Sequence, residues 1–415
     1  RIDAAVASSK KERVREGGNN GYQREQVKER LLFDAEIVCA TLAGAGMEFL
    51  IANTNEKSTS SLPLFDALIV DEATQATEPE LLVALQHQAK LVILVGDEMQ
   101  LPPTVSGEKA RRAGYGVSAF ERLVKAGVSK GMLTEQYRMH SEIARFPSSH
   151  FYDGRLRSAV HVSERPAPLG LPWPDPSTPI AVVDVKGGFE VCETRRSKKR
   201  KRGGKEGEEE VEEGANARDG VIVPAPSTTH ASSSIYNAAE AEAVVRIVNM
   251  LLSSSAASPH RGASSSGAAA AAQPPPPLTA SAIGIITPYN GQVHLIRKQL
   301  KSSGKRGAAE VEVRTVDGFQ GREKEVIVFS AVRAQPNGNG PYEIGFLRDA
   351  RRLNVAITRA KRGLIIVCHA KTLSAARVDR RISDSQIPDG ADCWVRLLAD
   401  ARERGLFLGE SELRS

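Results

Sequence analysis

Two adjacent carboxylates, Asp71 and Glu72, end the apolar run Ala67-Leu68-Ile69-Val70. A continuous apolar run cut off by charge reads as a strand buried on both faces of a parallel sheet. Chemistry in such sheets sits at the carboxyl ends of the strands. One carboxylate there can hold Mg²⁺ beside a nucleotide. The second can accept a proton from water attacking a phosphate. A merely solvated strand end has the same composition, so the rest of the chain must decide. Residues 91–95, LVILV, repeat the theme and end in Gly96-Asp97, with Gln100 three residues on. A glutamine there can orient water or sense a terminal phosphate. Tyr137 and Arg138 stand side by side, one able to stack a base, the other to hold phosphate. Residues 317–323, DGFQGRE, combine glycines for close backbone approach with polar side chains, Gln320 and Glu323 among them, for ribose or phosphate contacts. Arg352 and Arg359 lie seven apart within 349–361, DARRLNVAITRAK, which reads as one helix with Leu353, Ala356, Ile357 and Ala360 as its apolar face. The two arginines then share another face, an alignment that anions would explain.

The elements that must carry these groups alternate. Strands are expected at 36–41, 67–70, 91–95, 180–185, 283–287, 311–316, 325–330 and 363–368. Helices are expected at 119–124, 238–252, after Asn290, at 349–361 and around Trp394. Such alternation in two blocks implies two α/β domains with parallel sheets. The boundaries fall at 1–34 for a helical arm or linker, 35–158 for the first domain and 159–408 for the second. The small-residue stretch 41–46, TLAGAG, reads as a loop that lets a phosphodiester backbone approach; a plain turn reads equally well. Two inserts, 190–234 and 253–278, are too polar or too poor in large apolar residues to offset their ordering entropy, so both are expected to be disordered. The first insert holds five consecutive basic residues, 198–202, which can serve as a nuclear address or as solvated linker charge.

Composition excludes several classes. The chain has 415 residues, 41% apolar, with a net charge of +6 and an isoelectric point near 9.1, a basic excess that fits a polyanionic partner. Its four cysteines are scattered without a CxxC, against a zinc site or disulfide framework. No apolar run reaches membrane-spanning length. The first residue is Arg1 and not Met, so the chain reads as part of a longer protein.

Taken in order, DEATQ (71–75), GDEMQLPP (96–103), QYRMH (136–140), TVDGFQGREKEVI (315–327) and RRLNVAITRAK (351–361) resemble superfamily 1 helicases of the up-frameshift and senataxin group. FYDGRL (151–156) and IGIITPYNGQ (283–292) are similar too, and the resemblance runs over roughly 35–400 apart from the inserts. It implies two RecA-like domains, the first incomplete at its N-terminus, and ATP with Mg²⁺ as cofactors. By position it implies that Asp71 holds Mg²⁺, Glu72 activates water and Gln100 senses the γ-phosphate. Tyr137 would stack on adenine, Arg138 would contact the γ-phosphate, Glu323 the ribose, and Arg359 would act as arginine finger. Thr41, Pro288 and Thr315 would line the track of a single strand, RNA favoured over DNA, in the nucleus more than the cytoplasm. One departure is plain: GxxxxGK[ST], the phosphate-binding loop of the family, does not occur, so this chain alone is expected to hydrolyse little ATP. Two alternatives stay open. One is a DNA helicase, or a helicase-nuclease, although no further carboxylate cluster for a nuclease metal stands out. The other is a binding module that has lost the loop, against which stands the joint presence of Asp71, Glu72, Gln100, Arg138 and Arg359.

Overall fold

The computed structural model describes residues 27, 31–32, 34–46, 65–163, 165–193, 234–253, 278–335, 342–378 and 388–413. The arm before residue 27, the basic block 198–202 and nearly all of both inserts lie outside them. The chain divides into two compact units, Arg1–Lys130 and Gly131–Ser415. Residues 131–158, which the sequence places at the end of the first domain, belong to the second of these units.

The first unit contains α1 (Leu42–Ala45), β1 (Ala67–Val70), α2 (Glu78–Leu85), β2 (Leu91–Leu94), α3 (Glu108–Arg112) and α4 (Ala119–Lys125). The strands pair in parallel, Ala67 with Leu91 through Val70 with Leu94. Helix α2 starts where the Thr77 N–H and hydroxyl donate to Glu80 Oε2, which meets a backbone donor that the first turn leaves orphaned. Val70, Ala73, Leu81 and Ala119 form the small core. Burial of β1 and β2 on both faces is not what the structure has. Ile69 is 65% exposed, Leu91 53%, and Val92 and Ile93 40% each. Only these two strands pair among the described residues of the unit, and its core gathers at the Val70 end of β1. No ladder forms at 36–41 either. There Thr41 Oγ1 accepts the Gly44 N–H at 3.0 Å and turns the chain into α1, which packs on α2, so the expected loop at 41–46 is a helical turn.

The second unit is built on a six-stranded parallel sheet. In chain order it contains β3 (Glu135–Gln136), α5 (Ser141–Phe151), β4 (Arg157–Ser158), α6 (Val160–Ser163), β5 (Ile180–Asp184), β6 (Val191–Glu193), β7 (Ser234–Tyr236), α7 (Ala238–Ser253), β8 (Ile283–Thr287), α8 (Asn290–Ser302), β9 (Glu312–Thr315), β10 (Lys324–Ser330), α9 (Ala350–Ile357), β11 (Ala360–Cys368), α10 (Ala370–Ser374), α11 (Gly390–Glu403) and β12 (Phe407–Leu408). The strand order is β12-β5-β11-β10-β8-β9, and the four inner strands β5, β11, β10 and β8 are valine- and isoleucine-rich runs with both faces covered, as parallel sheets require. Helices α7 and α8 cover one face. Val244, Ile247, Val248, Leu251, Val293 and Ile296 pack there against Ile283, Ile285, Val326, Val328 and Ile365. On the other face Trp394 of α11 meets Phe329 with ring centroids 5.7 Å apart. The short strands β6 and β7 pair antiparallel, so the insert expected to be disordered over 190–234 begins and ends in ordered backbone.

Two features of this sheet place the candidate groups. Thr287 and Thr315 are paired at the carboxyl ends of β8 and β9. Lys324 and Ala360 are paired at the opposite end, where β10 and β11 begin. The loop 317–323 runs from one set to the other. Helix α9 ends at Ile357 and β11 starts at Ala360, which corrects the single helix expected over 349–361. The physical cause is the ladder: Lys324 N donates to Arg359 O at 3.1 Å, and this bond to β10 draws the chain out of the helix. Arg359 therefore shares no helical face with Arg352.

Candidate functional site

In the first unit the carboxylates and the glutamine stand at the same end of the paired strands. Asp71 is exposed, and its Oδ1 accepts the Glu72 N–H at 2.9 Å. Glu72 adopts a left-handed backbone (φ 53°), uncommon outside glycine. Its Oε2 accepts from Gln75 Nε2 at 2.6 Å. Beyond β2, Asp97 organises the second loop: Oδ1 accepts the Met99 N–H and Oδ2 accepts Gln100 Nε2 at 2.8 Å. The two loops touch at Gly96. A Cβ there would stand 2.9 Å from Thr74 Cγ2 and 3.0 Å from Thr74 N, so no larger residue fits without displacing the turn after Glu72. Local backbone thus presents one exposed carboxylate, one partly buried carboxylate and one oriented amide. Among the described residues no group of three or more His, Cys, Asp or Glu could hold a metal. A Mg²⁺ held by one carboxylate, phosphate oxygens and waters needs no such group, and Asp71 fits that use.

In the second unit the candidates converge. Gln136 is 8% exposed and wraps the turn that follows β3: its Oε1 accepts the Arg138 and Met139 N–H groups at 3.0 and 2.7 Å, and its Nε2 donates to Met139 O and Ser158 Oγ. Arg165 clamps the same turn from outside, donating to the carbonyls of Arg138 and Tyr137 at 2.7 and 3.3 Å. So fixed, the turn presents Tyr137, 58% exposed, stacked on His161 with centroids 5.8 Å apart. The Tyr137 hydroxyl donates to Glu135, whose carboxylate raises the phenol above its usual range.

Arg138 points into a cluster of charge. Its Nε donates to Glu323 Oε2 at 2.7 Å and its Nη1 to Thr358 O at 3.3 Å. Lys361 Nζ stands 2.7 Å from Glu323 Oε1. The hydrogen bond from Lys361, then that from Arg138, hold the Glu323 carboxyl below its usual range against partial burial. Arg359 completes the group from beneath. It is 2% exposed, with Nε donating to Val355 O at 2.9 Å and Nη2 to Thr358 Oγ1 at 3.1 Å. Thr358 therefore joins the two guanidinium groups, its carbonyl on Arg138 and its hydroxyl on Arg359. In the 317–323 loop, Gln320 Nε2 is buried with no acceptor, a donor left for an outside group. Two cations on one carboxylate, a third guanidinium joined to them through Thr358, and an orphan amide in the adjoining loop fit a polyphosphate nucleotide.

The track candidates sit elsewhere. Thr41 caps α1 and is exposed, in the first unit. Pro288 and Thr315 lie together at the paired ends of β8 and β9, where Thr315 Oγ1 accepts the Gly318 N–H at 3.2 Å. Sequence reasoning missed Lys361, Arg165, Gln136 and Thr358 as members of the site. Lys361 closes the stretch RRLNVAITRAK, yet only the register of β10 on β11 sets it beside Glu323. Arg165 had no local signal at all.

Two family models, each described as an AAA domain, match residues 3–108 and 115–371. The regulator of nonsense transcripts 1 homolog of Drosophila melanogaster is 34% identical over 354 residues, 85% of this chain and 24% of that protein. The probable helicase MAGATAMA 3 of Arabidopsis thaliana is 34% identical over 96% of this chain and 40% of its own length. Helicase sen1 of Schizosaccharomyces pombe is 34% identical over 92% of this chain and 18% of its own length. The chain thus spans well under half of each of these relatives.

Proposed function

Because the chain belongs to the superfamily 1 helicases of the up-frameshift and senataxin group, we propose that it works as part of an ATP-dependent helicase or translocase on single-stranded nucleic acid, RNA above DNA. The observation that carries the nucleotide reading is the cluster of Arg138, Lys361 and Arg359 about Glu323 and Thr358. In this reading Asp71 holds Mg²⁺, Glu72 takes a proton from the attacking water, and Gln100 reports the terminal phosphate. Arg138 and Arg359 meet the charge that develops on the γ-phosphate, Glu323 and Gln320 meet the ribose, and Tyr137 stacks on the base. Mg²⁺ would neutralise phosphate charge. Thr41, Pro288 and Thr315 border the strand. The preference for RNA is supported by the Drosophila relative, named as a regulator of nonsense transcripts. Nuclear residence rests on the five basic residues 198–202.

A polypeptide that places a GxxxxGK[ST] strand and loop ahead of residue 1 tests this reading. It should unwind a partial RNA duplex with ATP. Glu72→Gln in the same polypeptide should stop unwinding while leaving single-strand binding in place. Unwinding that survives Glu72→Gln overturns the assignment.

A further inference from the structure

Phe346 is a large apolar side chain left 56% exposed, yet it is not loose. The ring of Tyr289 meets it edge-on, centroids 5.7 Å apart at 76°. The Arg352 guanidinium carbon lies over the Phe346 ring, 5.2 Å from its centroid. Two carboxylates fix that guanidinium in turn: Asp317 at 3.1 Å and Asp349 at 2.9 Å. Gly345, just before the ring, has φ 55°, and a Cβ on it would lie 3.1 Å from the Tyr289 hydroxyl. The turn that presents Phe346 thus requires glycine.

The location gives this ring a use. Tyr289 follows Pro288 at the end of β8, and Asp317 lies two residues beyond Thr315 at the end of β9. Edge strand β9 carries Arg314 next to Thr315; at the other end of the strand Arg322 of the following loop and Lys324 join Arg314 around the one carboxylate of Glu312, an excess of two positive charges along this edge. A fixed aromatic surface at the end of a strand edge that carries basic residues combines the two components of sequence-tolerant single-strand binding.

We infer that Phe346 is a stacking platform for one base of a single strand that crosses the ends of β8 and β9. The inference rests on the proposed single-strand function and adds a residue to it. Arg352 closes one face of the ring and limits its motion, so a base on the free face costs little further ordering of the protein. Asp317 and Asp349 more than offset the charge of Arg352, which suits a base more than a phosphate. Phosphates would pass the Arg314 side.

Anisotropy of a labelled oligouridine titrated with the chain over a series of salt concentrations tests this. Phe346→Ala should weaken binding about 5- to 150-fold, the range that one stacked base supplies. The slope of log affinity against log salt should not change, since stacking releases no counterion. Phe346→Trp should bind at least as tightly as the parent chain. Arg314→Gln should instead make the slope shallower by about 0.7. An oligonucleotide with abasic positions should bind the parent and Phe346→Ala equally. Parental affinity in Phe346→Ala, or equal loss in Phe346→Trp, overturns the platform. A parent chain that fails to bind oligouridine overturns the single-strand reading itself, which separates the two failures.

Discussion

Arg138 Nε donates to Glu323 Oε2 at 2.7 Å and so ties together positions 185 residues apart. Each partner is more than a third exposed, and Glu323 holds Lys361 on its other oxygen. Pairs of that exposure contribute about 0–1 kcal/mol, because solvent screens them. Their worth lies in exchange: Arg138 can leave for a phosphate while Lys361 keeps Glu323 neutralised. A double-mutant cycle of Arg138→Gln and Glu323→Gln on the urea midpoint should give a coupling below about 1 kcal/mol. A coupling of several kcal/mol would mark the pair as structural.

Arg359 should act on both activity and stability. Its guanidinium is buried and donates to Val355 O and Thr358 Oγ1. Truncation leaves the buried Thr358 hydroxyl without its donor and Val355 O with the Thr358 hydroxyl alone, at about 1–3 kcal/mol. In a polypeptide with the phosphate loop, Arg359→Ala should therefore lower the unfolding midpoint and cut ATP turnover on the order of 10³–10⁵-fold. Arg359→Lys should recover part of the stability and little of the turnover, because a point charge does not replace a planar fork. Turnover near normal, measured with saturating single-stranded RNA, would remove Arg359 from the catalytic set.

Without a supplied loop, residues 1–415 should show negligible ATP hydrolysis, since no GxxxxGK[ST] occurs to cradle the phosphates. RNA-stimulated phosphate release that Glu72→Gln abolishes would show that other backbone donors do this work.

Glu240, on the first turn of α7, gives a pH dependence. It is fully buried, and Ser330 Oγ and Val332 N–H donate to its Oε2 at 2.7 and 2.8 Å, while Oε1 has no partner. Burial raises its carboxyl from 4.5 to about 8. Below pH 4.5 both folded and unfolded chains hold the proton, and the group has no effect on stability. Between about 4.5 and 8 the unfolded chain loses it first, so stability falls as pH rises, and levels off above 8. Glu240→Gln cannot ionise. Its thermal midpoint, relative to the parent, should rise from pH 5 to about pH 8 and level off by pH 9. A constant difference across that range would refute a neutral buried Glu240.

Gly96→Ala should disturb the first unit. The added methyl would meet Thr74 Cγ2 at 2.9 Å and backbone N at 3.0 Å, and overpacking of this kind costs typically 1–3 kcal/mol. The midpoint of the first unit should fall, read by hydrogen exchange at Ala73 and Val95, whose backbone groups join the two loops. Unchanged protection there would mean the turn moves aside freely.

What could be read from the chain was what local pattern determines. Apolar runs located β5, β8, β10 and β11, and the spacing of Val293, Ile296 and Leu300 located α8. Carboxylates at the end of β1 and the Tyr137-Arg138 turn after β3 fell where strand ends place them. The boundary at Thr358 failed because helical periodicity continues through Ala360, and only the ladder to Lys324, remote in sequence, stops it. The Glu323 cluster failed in part for the same reason, since Lys361 enters through β-sheet register. Burial of β1 failed because a run of apolar residues reports what a strand could bury, whereas Ile69 shows what it does bury.

The open faces of β1 and β2 bear on how the chain behaves at high concentration. Val92 and Ile93 point to opposite sides of the sheet, and both are exposed. Residues 91–95, LVILV, are five apolar positions with no charge and no proline, the composition of segments that stack copy on copy into fibrils. The brake is a pair of charges at the strand starts, Lys90 and Asp66, whose ammonium and carboxylate lie 3.9 Å apart in solvent. Salt screens exposed charges, so the guard that Lys90 and Asp66 give this apolar pair of strands weakens as ionic strength rises.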